Sequence, residues 1–164
     1  MKMTELFLAQ LERESPGTRA ALERVPEGKN EWKPHSKSMP LGNLAALVAS
    51  MPSWFSLIID RNDLDLKTGL GSQAAVLTNR ELLQVHDKAM DAARRSISNT
   101  TDDHLMKSWR LLYGGNVLDD RPRHLVMADT FSHSAHHRGQ LTVYLRLNDV
   151  KVPAVYGASA DEGR

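Results

Sequence analysis

Apolar side chains recur along this chain at spacings of three and four residues, the period of a helix with one buried face. The stretches that carry this pattern are separated by segments in which proline and glycine recur. Thr78 and Glu81 have the spacing of a capping box at the start of the third such stretch. The pattern predicts four long helices, at about 4–25 with a bend near Pro16, 40–60 with a kink at Pro52, 79–98 and 121–148.

Residues 104–118 break the helical rhythm, and they contain the turn-forming sequence Gly114-Gly115-Asn116. This segment predicts a short hairpin or an irregular linker before the last helix. The stretch 64–76 is predicted to be a loop, and the residues after Asn148 are predicted to be a coil packed against the helices. Together these elements predict one domain over residues 1–164, an all-α four-helix bundle.

Composition narrows the class of protein. The chain has 21 Lys and Arg against 20 Asp and Glu, so it lacks the basic excess of nucleic-acid-binding domains, and no nucleic-acid partner is expected. It has no cysteine, which excludes disulfides, thiolate metal sites and cysteine nucleophiles. No apolar run approaches the roughly 18–20 residues of a membrane span, and the start lacks the pattern of a signal peptide. We therefore expect a cytoplasmic protein without a membrane partner.

The last predicted helix carries the sequence HSAHHRGQL at residues 133–141, which holds three of the seven histidines. On a helical wheel His133 and His137 lie about 40° apart and one turn from each other. Two imidazoles at this spacing can bind one divalent metal ion. His136 lies about 60° from His133 and is the weaker candidate. The spacing also arises by chance, with the histidines simply hydrogen-bonded, so both interpretations stay open at this point.

The arc of the helix that carries this histidine pair mixes polar and apolar residues. We place the arc toward the interior of the bundle, where Gln140 and Tyr144 would line a pocket. Asp129 either orients His133 as a hydrogen-bond acceptor or forms an ordinary i,i+4 helix pair with it. The same arc carries Val126 and Leu147, and the opposite side carries Phe131, Arg138, Thr142 and Arg146.

The segment SHSAHHRGQLTVYLRLNDVKVPAVYGASADE combines HxxxHRGQ, YLR and VPxxYGxSADE. In this combination it resembles the DinB-like metal-binding proteins, a superfamily of DinB/YfiT-type four-helix bundles. The stretch WKPHSKSMPLGNLAALVASMPSWF is similar to that family's loop and second helix. The resemblance implies a homodimer and a divalent metal such as nickel or zinc, held by three histidines of which two match His133 and His137. Some relatives use a low-molecular-weight thiol, so the resemblance implies a small-molecule or thiol substrate.

Leu47 departs from the family pattern, because in LGNLAALVA it stands where the family has its third histidine. It also lies on the apolar stripe of its helix, so we expect its side chain to point inward. Two imidazoles alone should bind a divalent metal weakly. Two functions follow: a metal-dependent enzyme with an incomplete histidine triad, such as a thiol-dependent transferase, or a metal-free homodimer that binds a small apolar ligand or is structural.

Two more polar residues bear on these alternatives. Arg138 belongs to the family motif but faces outward on the wheel, so we expect it to connect the helix to the tail or to a dimer partner. His86 lies beside the apolar stripe of the third predicted helix. It could project toward the bundle, although partial exposure is our expectation.

Overall fold

The computed structural model of the chain describes residues 1–68 and 78–163. In these ranges the fold is mostly helical, as predicted, but a small sheet means that it is not a pure four-helix bundle. Residues 69–76 of the predicted loop lie outside the described residues. The elements are α1 (Met3–Leu22), α2 (Leu41–Ser50), α3 (Ser53–Asp60), β1 (Asp63–Asp65), α4 (Asn79–Asn99), α5 (Asp102–Leu105), β2 (Ser108–Tyr113), β3 (Asn116–Pro122) and α6 (Arg123–Leu147).

Helix α1 continues through Pro16 as one element, and it ends at Leu22, three residues before the predicted end. Its first turn is capped from a distant part of the chain. The backbone N–H groups of Met3 and Thr4 donate to the two carboxylate oxygens of Asp102, at 3.0 and 3.3 Å. The start of α5 therefore satisfies donors that the first turn of α1 cannot satisfy within the helix.

Pro52 divides the second predicted helix, in agreement with the predicted kink. Helix α2 ends at Ser50, α3 begins at Ser53, and the two are bent by 49°. Pro52 has no N–H, so it cannot donate to the Val48 carbonyl as residue 52 of an unbroken helix would.

In the described ranges no single helix is both long and apolar enough to cross a membrane, although α2 and α3 taken together meet that test of length and composition.

The hairpin that was one of two predicted alternatives forms between β2 and β3, which pair antiparallel. Its turn uses Gly114 and Gly115 at φ values of 56° and 82°, in the left-handed region that glycine adopts without a steric penalty. Strand β1 pairs with β2 in parallel. Asp65 of β1 accepts hydrogen bonds from the N–H groups of both glycines, at 2.9 and 2.8 Å. These bonds connect the turn of the hairpin to β1.

Helices α1, α4 and α6 and the bent pair α2–α3 pack on one another around two groups of buried apolar side chains. One group includes Phe55, Trp109 and Phe131, and the other includes Leu22 and Leu141. After α6 the chain continues without a helix or strand, and it packs against the helices as predicted. The tail is connected to them by ion pairs of Asp161 with Arg146 and of Glu162 with Arg24.

Candidate functional site

His133 and His137 lie one turn apart on α6, and their rings meet. Their Nε2 atoms are 2.8 Å apart, and their ring centroids are 4.6 Å apart. The Nδ1 atom of His137 lies 2.9 Å from Oε1 of Gln140. Because an amide oxygen only accepts, His137 carries its proton on Nδ1, and its Nε2 presents a lone pair. Gln140 therefore holds His137 in the tautomer that a metal ligand needs.

The Nε2 atom of His133 faces that lone pair. Without a cation, His133 must carry its proton on Nε2 and donate it to His137. With a cation between the rings, both Nε2 atoms would present lone pairs. Partial burial of its ring and the neighbouring imidazoles of His137 and His136 lower the pKa of His133, so the ring is neutral at pH 7. Both arrangements are therefore chemically accessible.

The geometry of the pair fits one divalent ion. With metal–nitrogen bonds of about 2.1 Å, nitrogens 2.8 Å apart subtend an angle of about 85° at the metal, which suits neighbouring octahedral positions. Within the described ranges, no group of three or more His, Cys, Asp or Glu side chains is placed to hold an ion. The described residues thus offer an ion two imidazole ligands. Its other coordination positions would be filled by water, a small molecule or another chain.

The arc with the histidine pair does not face the interior, so its predicted orientation is wrong. His133 is exposed and His137 is half-buried, whereas Phe131 and Arg138, assigned to the outer side, are buried. Arg138 is 3 % exposed, and it forms an ion pair with Glu14 at 2.6 Å. It also donates a hydrogen bond to the Tyr156 hydroxyl, which confirms the expected connection between the helix and the tail.

Two other residues of that arc contact groups away from the histidines. Asp129 is exposed and pairs with Arg121 at 2.8 Å rather than with His133. The Tyr144 hydroxyl donates to the Met39 carbonyl at 3.2 Å, and its ring packs edge-on against Trp32. Of the predicted pocket residues on α6, Gln140 is the one hydrogen-bonded to the pair in the described structure.

Leu47 and His136 are the two residues to consider when asking whether the chain supplies a third metal ligand. Leu47 is half-buried and belongs to neither group of buried apolar side chains, so its predicted inward orientation is wrong. Its hydrocarbon side chain supplies no donor atom. His136 is exposed, and its ring lies edge-on to His137 with the centroids 5.0 Å apart. The buried face of α2 consists instead of Leu41, Leu44, Ala45, Val48 and Ala49.

A second polar site, which the sequence pattern missed, lies inside the helices. His86 is 1 % exposed, so its expected partial exposure is wrong. It lies beside a cavity of about 30 Å³, together with Ser15 and the Glu14–Arg138 ion pair. A signal for this site exists in the sequence, because Glu14, Ser15 and Thr18 interrupt the apolar face of α1 over one turn.

Comparison with known proteins agrees with this fold. The model of the DinB family matches residues 1–163. The uncharacterized protein YrdA of Bacillus subtilis strain 168 is 23% identical over 157 residues, which cover 95% of this chain and 89% of that protein. A DinB-like protein from Bacillus cereus ATCC 10987 has a TM-score of 0.72 at 19% identity, covering 93% of this chain and 97% of its own. The DinB-like protein YjoA of Bacillus subtilis has a TM-score of 0.71 at 16% identity, covering 97% and 99%. On these grounds, the chain belongs to the DinB family.

Proposed function

We propose that this DinB protein binds one divalent metal ion through His133 and His137 and acts as a metal-dependent enzyme. The supporting observation is the approach of the two Nε2 atoms to 2.8 Å, with Gln140 fixing the tautomer of His137. Imidazole is a suitable ligand for both nickel and zinc. An ion with open coordination positions supplies Lewis acidity, which lowers the pKa of a bound water or thiol.

Around such an ion, His133, His137 and Gln140 would have different roles. His133 supplies a neutral ligand because partial burial of its ring and the adjacent imidazoles lower its pKa. Gln140 orients the ring of His137 through the hydrogen bond to Nδ1. The exposure of His133 leaves a path by which a small molecule reaches the pair from solvent. A low-molecular-weight thiol is the substrate class suggested by the family resemblance.

Calorimetric titration of the metal-free full chain, without a histidine tag, tests the metal site. Nickel and zinc should each bind saturably with one ion per chain. His137→Ala should abolish this binding, since one imidazole remains. His136→Ala is the matched control, because it removes an exposed ring from the same turn and should leave affinity unchanged within about twofold. Absence of saturable binding to the wild type, or an equal loss in both variants, would overturn the proposal.

A gain of affinity in Leu47→His would support the correspondence with the family triad. A third imidazole directed at the pair should strengthen nickel binding about tenfold or more, equivalent to about 1.4 kcal/mol. Ala46→His places the same ring one residue away on α2 and should have a smaller effect. Equal affinities in the two variants would show that position 47 does not approach the pair.

The enzymatic part of the proposal is tested separately with thiol transfer as the assay. Nickel-loaded protein should accelerate addition of a small thiol such as cysteine to an electrophile. His137→Ala should reduce the rate to that of free nickel, and His136→Ala should keep the wild-type rate. If the wild type binds metal but the three proteins react at the same rate, the enzymatic part of the proposal is contradicted and the metal-binding part stands.

Three observations favour a second function, that of a metal-free homodimer with a binding or structural role. Leu47 supplies no third ligand, and the two imidazoles satisfy each other through one hydrogen bond. Helix α6 exposes Leu125, Val143 and Leu147, which could form a subunit interface. Sedimentation of wild type and Val143→Lys, with and without nickel, separates the functions. A dimer that Val143→Lys disrupts, in a protein that binds no nickel, would favour this second function.

A further inference from the structure

The exposed side of α6 places the histidine pair in the middle of an apolar surface. Leu125, Val143 and Leu147 are all exposed, and on a helical wheel they lie within about 80° of His133, on one side of it. Leu125 lies ten residues before the midpoint of His133 and His137, whereas Val143 and Leu147 lie eight and twelve residues after it, ten on average. The apolar side chains therefore lie at equal distances along the helix on the two sides of the pair.

This spacing makes the surface complementary to itself. If the α6 helices of two copies pack antiparallel about a twofold axis at the histidine pair, Leu125 of one copy falls opposite the gap between Val143 and Leu147 of the other. The twofold axis repeats this contact, so that the apolar side chains at both ends of each helix are covered. Antiparallel packing also brings the positive end of each helix dipole beside the negative end of the other. A parallel packing would place like ends together, so the antiparallel arrangement is favoured.

The charged side chains of α6 beside this surface are already paired within each copy. Asp129 forms an ion pair with Arg121 at 2.8 Å, and Arg146 forms one with Asp161. Gly139 is exposed close to the histidine pair, and among the described residues nothing lies within 4 Å of the position that a Cβ would take there. A second helix can therefore approach without burying an unpaired charge, and the space beside Gly139 is open to it.

The ligand set for an ion is incomplete in one copy. His133 and His137 offer two imidazoles, and within the described ranges no further His, Cys, Asp or Glu side chain completes a group of three. A second pair across the twofold axis raises the number of imidazoles to four, enough for four of the six octahedral positions. The three apolar side chains of each copy are too few for a stable dimer by themselves, since stable interfaces bury about 800 Å² on each partner. Association is therefore expected to depend on a shared ion.

We propose that, when chains outnumber metal ions, two copies of this chain share one ion through four imidazoles and pack antiparallel along α6. The shared ion is the one proposed above, so this assembly rests on the proposed metal site and adds its partner and its regulation. When ions outnumber chains, mass action gives each pair its own ion, and the copies separate. In the shared state the second copy covers the exposed side of His133, by which a small molecule reaches the ion. The monomer with its own ion is then the form that is open to substrate.

Sedimentation velocity of the full chain, without a histidine tag and over a series of nickel concentrations, tests the shared ion. The protein should be monomeric with a chelator, the dimer should be most abundant at one nickel per two chains, and a large excess of nickel should restore the monomer. His137→Ala should stay monomeric throughout, whereas His35→Ala, which removes an exposed imidazole outside α6, should follow the wild type.

A dimer that persists with the chelator, or a monomer at every nickel ratio, would overturn the shared ion. Calorimetric titration of the same protein distinguishes this failure from that of the metal site. If nickel still saturates at one ion per chain, the metal site stands without the assembly, and if no nickel binds, both proposals fail.

A pair of charged variants tests the antiparallel packing. Leu125→Glu and Val143→Lys each bring an unpaired charge into the contact, so each should weaken the nickel-linked dimer about tenfold. An equal mixture of the two variants should recover most of this loss, because the new carboxylate of one copy then faces the new ammonium of the other. Each variant alone should keep the wild-type affinity of the monomer for nickel within about twofold, since neither position is a ligand. A mixture that associates no better than the separate variants would overturn the antiparallel packing.

Discussion

At the scale of single residues, His86 is a buried titratable group whose protonation opposes folding. Burial is the largest cause of its lowered pKa; Arg19 and Arg94 add to the lowering, and Asp87 opposes it. The paired Glu14 and Arg138 face the same cavity. In the unfolded chain the imidazole titrates near pH 6.5. Below that pH the unfolded state binds a proton that the folded state resists, so stability is complete above about pH 6.5 and falls with decreasing pH.

Replacing His86 with glutamine should remove this dependence on pH. One such group contributes a slope of up to about 1.4 kcal/mol per pH unit below pH 6.5, and His86→Gln should lose that part of the wild-type slope. Urea unfolding at several pH values between about 5 and 7.5 measures the difference. His35→Gln removes an exposed imidazole and should keep the wild-type slope. An unchanged slope in His86→Gln would show that the folded protein accommodates the charged ring.

Residue spacing predicted that His133 and His137 would meet, because their distance along a helix is set by its pitch. It did not predict which way they face. Arg138 is buried through an ion pair with Glu14 and contacts with Tyr156, residues that lie far from it in sequence. A helical wheel treats arginine as solvent-facing and cannot detect such a partner. For that reason the sequence analysis predicted the wrong side of α6 to face the interior.

At the scale of elements, the start of α1 depends on α5. Asp102→Ala should remove the acceptor for the N–H groups of Met3 and Thr4, lowering the free energy of unfolding by about 1 kcal/mol. The midpoint of thermal unfolding should fall by about 2–4 °C. Asp103→Ala changes the neighbouring, exposed carboxylate and should have little effect. Equal shifts in the two variants would point to general charge effects rather than to the cap.

Elements defined by local signals were predicted well. Thr78 and Glu81 form the capping box: the Thr78 hydroxyl accepts from the Glu81 N–H at 3.3 Å, and the Glu81 carboxylate accepts from the Thr78 N–H at 2.8 Å. The break at Pro52 follows from the missing N–H. Strand β1 was not predicted, because its three residues pair in parallel with β2, far along the chain. No short-range pattern encodes such a pairing.

At the scale of the whole molecule, Arg123 connects the end of α3, the start of β2 and the start of α6. Its side chain is 1 % exposed, and it donates to the carbonyls of Ile58, Arg61, Lys107 and Ser108 and to the Asn62 amide oxygen. The positive charge of the Arg123 guanidinium is thus stabilised by hydrogen bonds to several oxygen atoms rather than by a carboxylate. Burial lowers the pKa of the guanidinium. These contacts hold the sheet against the helices.

Arg123→Met should therefore destabilise the whole fold. The substitution leaves several buried carbonyls without donors, and we expect a loss of at least about 3 kcal/mol in the free energy of unfolding. Arg121→Met is the control, since Arg121 forms surface ion pairs worth at most about 1 kcal/mol. Chemical denaturation monitored by circular dichroism measures both. A loss below 1 kcal/mol for Arg123→Met would mean that water replaces the guanidinium.

The predicted fold class was correct in being mostly helical, but it did not include the three-stranded sheet. Apolar periodicity identified the long helices, because each must bury one face. It could not identify the sheet, whose exposed positions Tyr113, Val117 and Leu118 give no clear alternation. The hairpin was predicted only as one of two alternatives, from its glycines.

The central claim is that one divalent ion binds between His133 and His137 with two protein imidazoles as ligands. Anomalous diffraction at the nickel edge, from crystals of the full chain grown with nickel, tests it most directly. We predict one anomalous peak about 2.1 Å from Nε2 of each histidine. A nickel-free pair, with the two Nε2 atoms still in direct hydrogen-bond contact, would contradict the claim.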